Sequence, residues 1–174
     1  MKTIFGLILI VLLTASSMVA QWKVDGKLVK DEPDHRAVKG FAAHLVVIQD
    51  PRKFIEMWKK PETPHFDSAK EVGFDETVGV IVLFAGCRPD GKGICNTEVD
   101  YTIYKPDGSI FIERKKQPLW KEQAPPPENT QLGRAILAFR TAKSISSGVY
   151  RVKAKVSDLN ADISFEVETQ FSVK

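Results

Sequence analysis

Hydrophobic and polar residues alternate with a period of two through the last quarter of the chain, the pattern of strands with one buried and one solvated face. Tyr150, Val152, Ala154 and Val156 fall on one side, and Arg151, Lys153 and Lys155 on the other. Ile163, Phe165, Val167 and Phe171 likewise face inward, while Ser164, Glu166, Glu168 and Gln170 face outward. A four-residue turn, Leu159 to Asp162, predicts a register that sets Asp158 against Ile163. Lys155 then meets Glu166 and Lys153 meets Glu168, while Ala154 meets Val167 and Val156 meets Phe165. A basic face beside an acidic face is what cross-strand pairing selects, and a slip of one residue would turn an apolar set outward.

The central stretch, Glu76 to Lys115, changes pattern. Val78 to Ala85 is a nearly unbroken apolar run, short and β-branched, which predicts a strand buried on both faces. Val99 to Tyr104 alternates, Lys105-Pro106-Asp107-Gly108 predicts a turn, and Ile110 to Ile112 leads a further strand. Earlier in the chain, Phe41 to Ile48 reads as a strand, and Asp50-Pro51 then reads as a helix start, with Asp as cap and Pro in the first turn. Phe54, Ile55 and Trp58 give that helix, Pro51 to Lys59, one apolar face, and Pro61 ends it. Gln117 to Asn129, with Pro118, Trp120 and Pro125 to Pro127, predicts an extended crossing of the Greek-key kind from one sheet to the other. Ala135 to Phe139 is another strand and Ser144 to Gly148 a turn. About seven or eight strands with one short inserted helix predict an all-β fold, an antiparallel β-sandwich.

Two motifs carry a resemblance. Tyr104-Lys-Pro-Asp-Gly108 between strands, and Gly148-x-Tyr150-x-Val152-x-Ala154 near the end, resemble the Ig-like sandwich domains of exported bacterial proteins, and similar patterns occur in macroglobulin-type modules. The resemblance spans residues 79–173. It implies the sandwich fold and carries over no catalytic or binding residue. The cysteines depart from immunoglobulin domains, where the pair lies far apart in opposite sheets; here Cys87 and Cys95 are eight positions apart.

The N-terminus adds the compartment. Met1-Lys2-Thr3 is a short basic start, Ile4 to Leu13 an apolar core, and Thr14 to Ala20 a small-residue tail, together the pattern of a cleaved secretory signal peptide. Cleavage after Ala20 or after Ser17 fits. The expected organisation is a signal peptide over residues 1–20, a polar N-terminal arm over 21–39, and a single sandwich domain over 40–174, with a periplasmic or secreted location. No later segment is apolar for long enough to anchor the chain by a membrane-spanning helix. An oxidising compartment predicts that Cys87 and Cys95 are bonded, bracketing a hairpin tip. With 25 Lys and Arg against 22 Asp and Glu, the charge is near balance, and no basic, aromatic-rich patch suggests nucleic acid.

Candidate chemistry is sparse. The sequence holds no G-x-S-x-G, C-x-x-C or H-E-x-x-H pattern. His35, His44 and His65 are spaced by 9 and 21 positions, so neither a metal nor another cofactor is indicated. A metal site prefers two histidines at i, i+4 or on adjacent strands with a third ligand, and would gain here only if Asp50 or Asp67 converged on His44. Trp22, Trp58 and Trp120 are the residues best suited to recognition. The candidate binding surface comprises Trp58, Trp120 and Phe54, with Arg88 and Lys92 from the cysteine loop. The expected function is a non-catalytic exported module that binds a protein or cell-envelope component. The alternatives are a periplasmic hydrolase or protease-inhibitor-type protein, and a structural subunit of an envelope assembly.

Overall fold

A computed structural model of the chain describes residues 23–24, 27–28, 30–61, 64 and 66–174. The expected signal peptide and its expected cleavage site, Trp22 and His65 lie outside the described residues.

In chain order the strands are β1 (Lys23–Val24), β2 (Lys27–Leu28), β3 (His35–Val38) and β4 (Phe41–Gln49), followed by helix α1 (Pro51–Trp58). Then come β5 (Glu71–Val72), β6 (Thr77–Ala85), β7 (Thr97–Tyr104), β8 (Ile110–Trp120), β9 (Gln131–Leu132), β10 (Leu137–Arg140), β11 (Gly148–Asp158) and β12 (Ile163–Val173). One sheet runs β10-β6-β4-β3 with β9 also on β6, and the other runs β5-β12-β11-β7-β8. The two face each other as an Ig-like sandwich. Every pairing within them is antiparallel except β5 with β12, which is parallel.

The core follows the sequence pattern. Val78, Val80, Val82 and Phe84 of β6 meet Val99, Tyr101, Tyr150, Val152, Phe165 and Phe171 between the sheets. The opposite face of the same sheet is also covered: Val46, Ile48, Ile81 and Leu83 lie beneath Phe54 of α1. That second layer is why β6 reads as an unbroken apolar run. The β11–β12 register is the predicted one, from Asp158 against Ile163 through Val156 against Phe165 to Lys153 against Glu168. Tyr150 donates its hydroxyl to the Ser146 carbonyl at 2.9 Å, the tyrosine-corner arrangement of Ig-like sandwiches.

Three readings need correction. Residues 117–120, expected at the start of an extended crossing between the sheets, belong instead to β8, which continues through Pro118 to Trp120. Pro is tolerated there because β8 is an edge strand. Secondly, the cysteine loop is no hairpin tip, because β6 and β7 belong to different sheets and the loop carries the chain between them. Thirdly, His35–Val38, inside the stretch read as an arm, is an edge strand on β4. Lys39 (φ 48°) and Gly40 (φ 90°) connect the pair. Two consecutive positive φ values in a two-residue loop are the I′ geometry, whose twist matches the strands it joins.

Candidate functional site

Helix α1 begins as the sequence predicts: Asp50 Oδ1 accepts the Lys53 N–H at 3.1 Å and Pro51 occupies the first turn. Phe54 is buried against the outer face of the sheet, stacked on Trp58 at 5.8 Å and edge-on to Phe66 at 5.1 Å between ring centroids. Phe54 therefore anchors the helix and offers no surface to a ligand. Trp58 is half-buried at the helix end.

Trp120 arrives from the other sheet. Its ring packs on Phe84 at 5.6 Å and its Nε1 donates to the Gln123 carbonyl at 3.0 Å. The Arg134 guanidinium lies 4.8 Å above the indole, within cation–π range. Arg134 Nε and Nη2 also donate to the two Glu122 carboxylate oxygens, at 3.0 and 2.9 Å, in a two-point clamp.

Trp58 and Trp120, 62 positions apart in sequence, line a single open groove of about 410 Å³. Ile55, Leu132 and Ile136 add apolar lining, and Lys59 and Arg134 the positive charge. Gly133 sits at its floor, where the chain presses onto the sandwich. A Cβ there would lie 2.8 Å from the Val82 carbonyl oxygen and 2.2 Å from a Leu119 methyl. The sequence reading missed Leu132, Arg134 and Ile136, since only the path of β9 along β6 brings them to the helix.

Arg88 and Lys92 do not line this groove. They are exposed on the loop closed by the Cys87–Cys95 disulfide. That loop is held from within and from outside. Asp90 Oδ1 accepts the Lys92 and Ile94 N–H groups at 2.8 and 2.9 Å, and these hold its carboxyl below the ordinary value of 3.8, Ile94 contributing most. The buried Asp158 accepts the Arg88 N–H at 2.6 Å, and Asn160 Nδ2 donates to the Arg88 and Ile94 carbonyls, each at 2.9 Å.

One group of side chains has metal-ligating character among the described residues: Asp34, His35 and His44, whose ligand atoms all lie within 4.8 Å of one another. The carboxylate that meets His44 is thus Asp34, and neither Asp50 nor Asp67 belongs to the group. No helix among the described residues is long and apolar enough to cross a membrane.

No family model matches the chain. No curated protein matches it in sequence. Among solved structures, a family 123 glycoside hydrolase from Clostridium perfringens aligns over 76% of this chain at 9% identity and a TM-score of 0.44. The chain spans about a quarter of that hydrolase, 27% of its length. The CARDB domain of a Pyrococcus furiosus protein aligns over 76% of this chain and 87% of its own, at 13% identity and a TM-score of 0.38. An immunoglobulin-like protein from Pseudomonas aeruginosa aligns over 76% of this chain and 91% of its own, at 16% identity and a TM-score of 0.32. At such likeness no activity or ligand transfers to this chain, and the fold rests on its own strand order and register.

Proposed function

We propose that this chain is an exported, non-catalytic binding module that takes a protein or cell-envelope component in the Trp58–Trp120 groove. The carrying observation is the convergence of two indoles, from distant segments, on one groove. Aromatic rings give large contact area at small entropic cost and are over-represented where recognition energy is concentrated. The apolar lining with Lys59 and Arg134 suits an apolar or ring-bearing group that carries hydrogen-bond acceptors. The disulfide and the signal-peptide pattern of residues 1–20 support export.

The test is capture of partners from the envelope fraction by tagged protein, comparing wild type with Trp58→Ala, Trp120→Ala and Lys59→Glu. Trp120 packs on Phe84, so its replacement also tests the core; Lys59 is exposed and leaves the core untouched. Capture lost in Trp58→Ala and Lys59→Glu with melting temperatures near wild type supports the reading. Capture unchanged in all three variants, each still folded, removes the groove as the site.

A further inference from the structure

We propose that Asp34, His35 and His44 form a binding site for one borderline divalent transition-metal ion, of which Zn²⁺ is the representative. The two-residue loop at Lys39-Gly40 fixes Val38 opposite Phe41, and the register that follows sets His35 directly opposite His44. The Leu45 N–H donates to the Asp34 carbonyl at 2.8 Å, so the His35–His44 pair occupies the non-hydrogen-bonded position. There, opposed side chains stand closest. The two rings are 5.5 Å apart, edge to face. Asp34 directs one oxygen to each histidine: Oδ1 lies 2.8 Å from His35 Nδ1 and Oδ2 lies 3.7 Å from His44 Nε2.

Ligands held about 2.0–2.2 Å from zinc in a tetrahedron lie roughly 3.3 Å from each other. The observed separations are 2.8 Å to one Asp34 oxygen and 3.7 Å to the other, and one ligand atom from each residue lies within 4.8 Å of the others. His35 and His44 are placed by paired strands, and Asp34 by the Leu45 N–H on its carbonyl.

The hydrogen bonding of His35 is the second observation. Its Nε2 lies 2.9 Å from the Lys30 carbonyl, which can only accept, so Nε2 carries a proton. Its other nitrogen, Nδ1, is turned toward the Asp34 carboxylate at 2.8 Å, the position of a ligating atom. A metal-bound histidine ordinarily gives its other N–H to a carbonyl or carboxylate, which fixes tautomer and ring orientation. Lys30 supplies that partner. Two imidazoles and one carboxylate favour zinc, copper or nickel over magnesium or calcium, which prefer oxygen alone. Three protein ligands leave a tetrahedral ion one open position, and Asp34 borders open clefts against β12 through which solvent reaches it. The ion would tie edge strand β3 to β4.

The probe is Zn²⁺ alone, added to the full exported chain after chelator treatment, with no polyhistidine tag. Titration calorimetry and elemental analysis after dialysis should give about one zinc per chain, with a raised melting temperature. Co²⁺ in its place should show the intense visible bands of a tetrahedral site. His44→Ala and Asp34→Asn should each weaken binding by about 100-fold or more. Asp34→Asn keeps the shape of the side chain, so the test survives if His44→Ala does not fold. Wild-type protein that retains no zinc overturns the proposal. So does zinc bound equally well by a folded variant of either residue.

Discussion

At the scale of single residues, the buried carboxylate of Asp158 fastens the cysteine loop to the end of β11. It accepts from the backbone of Arg88, Asn160 and Ala161, at 2.6, 3.1 and 3.3 Å. Asp158→Ala should therefore cost about 3 kcal/mol in denaturant unfolding, since it strands three donors in a buried place. The disulfide stabilises by a different route, through loop entropy in the unfolded chain. Replacing both cysteines by alanine should cost roughly 2.5 kcal/mol in the same measurement. Asp90 supplies a pH signature. Its folded pKa lies below the ordinary 3.8 because two backbone N–H groups favour the carboxylate. A depressed carboxylate stabilises the fold above the unfolded value, and that contribution is lost as pH falls through the lower folded value. NMR titration of the Lys92 and Ile94 amides should show the loop loosening only below pH 3.8, and Asp90→Asn should remove the transition. The disulfide was legible in the sequence, as the chain's two cysteines; the Asp158 and Asp90 anchors were not. Asp158 and Asn160 look like ordinary turn residues until the fold brings the Arg88 N–H to one and the Arg88 and Ile94 carbonyls to the other, and Asp90, whose partners are two and four residues on, looks like any turn aspartate.

At the scale of elements, legibility followed how strongly burial constrained each pattern. β11 and β12 were readable to the register because each has one buried and one charged face, and only one alignment satisfies both. Helix α1 was readable because Asp50-Pro51 states its start chemically. β8 was readable only at its start, Ile110 to Ile112, because Glu113, Arg114, Lys115 and Lys116 are exposed on an edge strand and look like loop. The strand is also irregular, with register shifts against β7 at three places, and Lys116 has a positive φ of 52°. Bulges and charges are the usual means by which a long edge resists pairing with another chain. They count against an assembly subunit that adds strands along this edge. The β9 segment was illegible for a different reason: Gly133 marks a close backbone approach, which composition alone does not distinguish from a flexible turn. Gly133→Ala must displace the Leu119 side chain or the Val82 backbone, and should cost about 1–3 kcal/mol in thermal or denaturant unfolding. A variant as stable as wild type would show that the crossing yields freely at this point.

At the scale of the whole molecule, the sheet of β3, β4, β6, β9 and β10 is covered on both sides, by the second sheet within and by α1 without. Its strands announced this in the sequence by losing their alternation, but nothing local said that Trp58 and Trp120 would line one groove. The two layers should differ in cooperativity. Phe165, buried against Phe41 at 5.7 Å between ring centroids, belongs to the interface that joins the sheets. Phe165→Ala should cost about 3–5 kcal/mol and lower protection from amide exchange in every strand. Phe54 instead pins a helix of eight residues, too short to persist unaided. Phe54→Ala should expose the α1 amides to fast exchange while β11 and β12 keep their protection, and the melting transition should fall less than in Phe165→Ala. It should also abolish capture through the Trp58–Trp120 groove, since the helix supplies one wall. Equal loss of protection across both layers in the Phe54 variant would mean that the helix and the sandwich unfold as one unit, and the groove could then not be tested apart from the fold by this route.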